Sequence, residues 1–121
     1  MRKFFDKYNL GKPYIYIHSH KQEHAKHIVD NKPDWVTHII IFGSAVHSWH
    51  YYEKDLDICI IGENTHKLND DFSYRSKLKM KGCSYDFVEY SSVDELLTYK
   101  ESINSIGYNI LNEGVFIYGE S

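Results

Sequence analysis

Cysteine, proline and long apolar runs are all scarce in this chain. Its two cysteines, Cys59 and Cys83, can pair once at most and build no disulfide framework. Two buried thiols in a reducing compartment are the expectation, which sets the cytoplasm as the expected location. Pro13 and Pro33 are the only prolines, and there is neither an internal repeat nor a low-complexity segment. No stretch nears the ~18 consecutive apolar residues of a transmembrane helix, so no membrane partner is expected. The opening Met1-Arg2-Lys3-Phe4-Phe5-Asp6 is charged but has no apolar region behind it, so no signal peptide is expected either. A basic excess is missing too. Lys and Arg number 14 against 17 Asp and Glu, a net charge of −3. Non-specific nucleic-acid binders normally carry a basic surplus, so nucleic acid is not expected as a direct ligand.

What is present is an ordinary globular composition: 121 residues, 42% hydrophobic and 26% charged. That length suits one domain over residues 1–121, with 1–18 as an N-terminal arm. Tyrosine is abundant, at 11 residues. Half-exposed or interface surfaces favour it, but biased base composition in the gene is the simpler account.

The apolar pattern predicts a mixed order of helices and strands. Residues 13–18 alternate and suit a short strand or an extended arm. Residues 19–31 read as a helix, with Ser19 as N-cap and a sparse apolar face of Ala25, Ile28 and Val29. Residues 35–42 are β-branched, aromatic and almost continuously apolar, the pattern of a strand buried on both faces. Gly43-Ser44 ends it, and a short helix is expected from Ala45 to about Trp49. Residues 55–61 form a second strand, 67–81 a Lys-rich surface helix, and 84–90 a third strand. Ser92 and Glu95 have capping-box spacing for a helix running through Leu96, Leu97 and Tyr99. Asp94 and Glu95 suit its start electrostatically. Residues 103–111 read as the last helix and 115–118 as a final strand.

Chemistry concentrates between Ile41 and Ile61. Gly43-Ser44 follows a buried strand and precedes an expected helix. Glycine lets backbone amides approach an anion, a helix start adds donors, and Ser44 adds a hydroxyl, which together make a small phosphate cradle. Asp55 and Asp57 lie two apart on a strand and project from one face. Two such carboxylates repel unless something positive lies between them, and Mg²⁺ is the natural choice for hard oxygen ligands. Asp86 stands in another apolar strand, where a buried carboxylate needs a partner; a shared metal site supplies one. Each feature alone has a plainer reading: a turn, a wet strand face, a salt bridge.

Taken together, Phe42-Gly43-Ser44, the eleven-residue step from Ser44 to Asp55, Asp55-Leu56-Asp57 and the later Asp86 resemble the minimal nucleotidyltransferases of the polymerase beta superfamily. The closing Glu113-Gly114-Val115-Phe116-Ile117-Tyr118 is similar to the end of many small members. The resemblance spans roughly residues 20–118. It implies an α/β (α+β) fold with a small mixed sheet of about three to five strands flanked by helices, and it implies an enzyme. Gly43 and Ser44 would hold the β- and γ-phosphates of ATP or another NTP. Asp55 and Asp57 would hold two Mg²⁺ ions, while Asp86 would help place the second and could take the proton from the acceptor hydroxyl. Two metals would clamp the attacking and leaving oxygens in an in-line displacement. His47, Ser48 and Lys54 depart from the common pattern, which has Arg, Gly and Ser there. His47 is a weaker, pH-dependent cation. Lys54 could contact phosphate or pair with a carboxylate.

Small stand-alone members often act as antitoxins beside a helical HEPN-type ribonuclease, some by adenylylating a tyrosine on it, so the resemblance implies a protein partner. A non-catalytic protein of the same fold that masks a partner is one alternative, and a small-molecule (antibiotic) transferase another. A homo-oligomer stays open.

Outside this segment, His20, His24 and His27 share a helix face near His18, but a solvated histidine face is the default over a zinc site. His50, like His47, flanks the expected site. Arg75, Lys77, Lys79 and Lys81 read as a solvated basic face that could alternatively reach a triphosphate or an acidic acceptor.

Overall fold

A run of consecutive apolar residues has to bury side chains in two directions, and strand β1 (Val36–Phe42) does so. Ile39 and Ile41 pack with Ala25 and Ile28 on one side. Ile40 and Phe42 pack with Ile110 and Leu111 on the other. Strand β2 (Asp55–Gly62) repeats the division: Leu56, Ile58 and Ile60 join the first cluster, Cys59 and Ile61 the second. The computed structural model describes residues 19–46, 55–63 and 84–119, by backbone alone at 19–22, 44–45 and 84.

The sheet is completed by β3 (Ser84–Tyr90) and β4 (Val115–Tyr118), in the order β3-β2-β1-β4. β1 runs antiparallel to β2 and β4, while β2 and β3 are parallel. Among the described residues the sheet has four strands, in keeping with the small mixed sheet expected. Helix α1 (Ser19–Asp30) covers one face through Ala25 and Ile28. Asn31 closes it, its side-chain amide donating to the His27 carbonyl at 2.9 Å, ahead of Pro33. Helices α2 (Val93–Leu97) and α3 (Ile106–Glu113) cover the other face through Leu96, Ile110 and Leu111.

The starts of α2 and α3 are set by hydroxyl caps. Ser92 Oγ accepts from the Glu95 N–H at 3.1 Å, as its spacing predicts. The Glu95 carboxylate accepts from the Ser91 backbone and hydroxyl, one residue earlier than a capping box would have it. α2 ends at Leu97, so Tyr99 falls in the turn beyond it. α3 begins at Ile106 rather than residue 103, because Ser105 Oγ accepts from the Tyr108 N–H at 3.1 Å and supplies the cap. Ile103 is left exposed.

A further correction concerns the chain after β1. The turn starts at Gly43 itself and is a 3-10 turn, Gly43–Val46, rather than a helix from Ala45. The rest of the helix expected there, the segments 13–18 and 67–81, and Cys83 lie outside the described residues. Cys59 is a free, fully buried thiol whose pKa is pushed up by burial, which makes it an inert core residue. Among the described residues no helix is long and apolar enough to cross a membrane.

Candidate active site

Strand register assembles the site. β1 ends where β2 begins, and antiparallel pairing sets Phe42 beside Asp57. Parallel pairing sets Asp86 beside Asp57 on the other flank, and Ser84 beside Asp55. Adjacent strands lie about 4.8 Å apart, so Asp57 and Asp86 are lateral neighbours. Side chains alternate along a strand. Asp55 and Asp57 therefore share the face of Cys59 and Ile61, and Asp86 shares the face of Val88 and Tyr90. Those faces are one and the same, the side covered by α2 and α3. Residues from two strands thus meet at one corner of the sheet, with Asp55 and Asp86 exposed and Asp57 half-buried.

The turn after β1 borders this corner. Gly43 has φ +73°, the left-handed region that glycine enters freely. A Cβ at Gly43 would run into Asp57 Oδ2 and would be strained at this φ, so glycine lets the backbone approach the carboxylate closely. A further carboxylate arrives from the end of α3: Glu113 Oε1 accepts from the Gly43 N–H at 3.0 Å.

The electrostatics follow from that crowding. The Asp57 pKa is raised from its ordinary value, first by burial, then by repulsion from Asp86, Asp55 and Glu113. Asp57 is thus the point where the negative potential of the corner accumulates. The donors fit a hard divalent cation in kind, since all are carboxylate oxygens. They are register neighbours rather than a closed cage: among the described residues no three His, Cys, Asp or Glu side chains converge tightly enough to hold one ion.

The family model for polymerase beta nucleotidyltransferases matches residues 23–121. The chain belongs to the polymerase beta nucleotidyltransferase family. No curated protein gives a significant match to the chain.

Of the residues singled out in this nucleotidyltransferase domain, Asp55, Asp57, Asp86 and Gly43 come together. Ser44 continues the Gly43 turn in its backbone. His47, Ser48, His50 and Lys54 lie outside the described residues, as do Arg75, Lys77, Lys79 and Lys81. Helix α1 lies on the other side of the sheet, and of its histidines the side chains of His24 and His27 are described. There His24 Nδ1 is 2.7 Å from the Tyr85 hydroxyl, and His27 Nδ1 is 3.2 Å from Asn31 Nδ2.

Glu113 reaches this corner too, and the sequence marks it only as part of the closing segment. It is 70 residues from Gly43, beyond any local spacing rule. One signal was available. An acidic side chain as the last residue of a helix opposes the helix dipole, which favours cations there.

Proposed function

We propose that this protein is a Mg²⁺-dependent nucleotidyltransferase that moves a nucleoside monophosphate, AMP from ATP, to a hydroxyl on a protein partner. The observation that carries the reading is the corner itself: Asp57 flanked by Asp55 and Asp86, directly against the Gly43 turn. Asp55 and Asp57 would hold the metal ions, and Asp86 would share the second. Bound Mg²⁺ supplies charge neutralisation of the triphosphate and a stronger nucleophile.

The chain's own groups have definable work. Gly43 and Ser44, with His47 and Lys54, would hold the β- and γ-phosphates. Asp57 and its neighbours keep the corner anionic, so the triphosphate is admitted only with its cations. Asp86 stands at the exposed edge, where an acceptor can approach, and takes the hydroxyl proton. The new bond joins the acceptor oxygen to the α-phosphorus, the bond to the β-phosphate bridging oxygen breaks, and pyrophosphate departs. The resemblance to minimal nucleotidyltransferases supports a HEPN-type toxin as the acceptor protein and an antitoxin role.

The test is transfer of label from α-labelled ATP with Mg²⁺ to the product of the adjacent gene. Transfer that disappears in Asp55→Asn and in Asp57→Asn supports the proposal. Tight complex formation without label, unchanged in both variants, sinks it and leaves a masking protein. Label moving to a small-molecule hydroxyl instead would keep the chemistry and overturn the acceptor.

A further inference from the structure

We propose that Glu113 is a positioning residue: its carboxylate holds the turn after β1 in the shape that sets Gly43 against Asp57. The inference deepens the transferase reading and rests on it for its catalytic consequence.

The backbone ladder of β1 with β2 ends at Phe42 and Asp57. Gly43 is therefore the first residue past the sheet, and its left-handed φ turns the chain away from it. Glu113 Oε1 takes the Gly43 N–H at 3.0 Å. Hydrogen bonds to an ionised acceptor are roughly twice as strong as neutral ones. Glu113 is well placed to act as a fixed post. It closes α3, whose Ile110 and Leu111 are fully buried against the sheet, and the Gly114 N–H bonds the Ile110 carbonyl at 2.8 Å. The carboxylate thus ties a buried helix to the turn.

Two consequences follow. The Gly43 N–H is directed at Glu113, so it is a structural donor, and phosphate falls to the rest of the turn. The close approach of Gly43 to Asp57 is also held from both ends, by the β1–β2 register and by Glu113. Loosening the Glu113 end frees the turn while leaving Asp55, Asp57 and Asp86 on their strands. Nucleotide binding should then suffer more than the chemical step.

The test compares Glu113→Ala, which removes the acceptor, with Glu113→Gln, which keeps an acceptor oxygen without the charge. The first readout is hydrogen exchange at the Gly43 amide in the full chain, with no nucleotide present. We expect exchange to speed about tenfold or more in Glu113→Ala and to be largely restored in Glu113→Gln. The second readout is the kinetics with MgATP: KM raised about tenfold in Glu113→Ala with kcat changed far less, and recovered in Glu113→Gln. Unchanged Gly43 exchange in Glu113→Ala would overturn the proposal. So would a loss confined to kcat in both variants, which would mark a charge acting in the chemistry. Should the wild-type chain neither bind nor transfer nucleotide, the transferase reading fails, and the exchange readout still decides the role of Glu113.

Discussion

Asp57 concentrates the cost of the site in one carboxylate. Burial and three like charges raise its pKa, so its ionised form weakens the fold. The sign follows by linkage. A carboxyl whose folded pKa lies above its unfolded value binds more protons when folded, so stability falls as pH rises through that interval. Asp57→Asn should therefore abolish transfer yet hold or raise stability at neutral pH, by up to about 1 kcal/mol after solvent screening. The gain should vanish as pH falls below the carboxylate range. Urea melts at neutral and acid pH check this; a clear destabilisation at neutral pH would contradict it. Gly43→Ala should behave oppositely. Its Cβ meets Asp57 Oδ2, and its φ is strained for alanine. A loss of about 1–3 kcal/mol is expected together with loss of transfer, measured by the same melts. Asp55, Asp57 and Gly43 were legible in the sequence because a strand's period of two and a glycine after an apolar run are local facts. Glu113 was not, because its partner is brought to it only by folding.

At the scale of elements, strands were easier to read than helix ends. β1 and β2 are dense in isoleucine and β-branched neighbours, and hydrophobic runs of that kind have few alternatives. The apolar pattern starts α3 too early, since Ile103 extends it while the cap at Ser105 decides the boundary. Ser105→Ala should cost about 1 kcal/mol in thermal or urea unfolding, and Ser105→Asp should recover most of it. A cost near zero would mean that packing alone sets the start of α3. The cap of α2 adds a pH dependence of the opposite sign to that of Asp57. Hydrogen bonds from Ser91 lower the Glu95 pKa, so its contribution is present above the ordinary carboxylate value and is lost as pH falls through the folded one. The stability difference between wild type and Glu95→Ala should narrow steadily from pH ~6 to pH ~3. A difference independent of pH would show that the carboxylate charge is idle.

At the scale of the whole molecule, one sheet separates two apolar layers and presents its acidic corner beside the layer of α2 and α3. Ligand binding to such a corner must show as stability of the whole fold. MgATP at about 100 times its Kd should stabilise wild type by ~2.7 kcal/mol. ATP with excess chelator should do far less, and Asp57→Asn should show no shift. A shift of equal size in all three would place the nucleotide elsewhere.

The sequence by itself determined the strands, their two-sided burial and the pairing of Asp55 with Asp57 on one face. These depend on local periodicity and on which side chains leave water. The tertiary structure alone decided which strands are neighbours, and hence that Asp86 lies beside Asp57 rather than at a distant edge. It alone carried the end of α3 across 70 residues of chain to the Gly43 N–H. Both outcomes come from burying two apolar faces at once. Packing of the helices on the sheet, rather than any local motif, brings those charges together despite their repulsion.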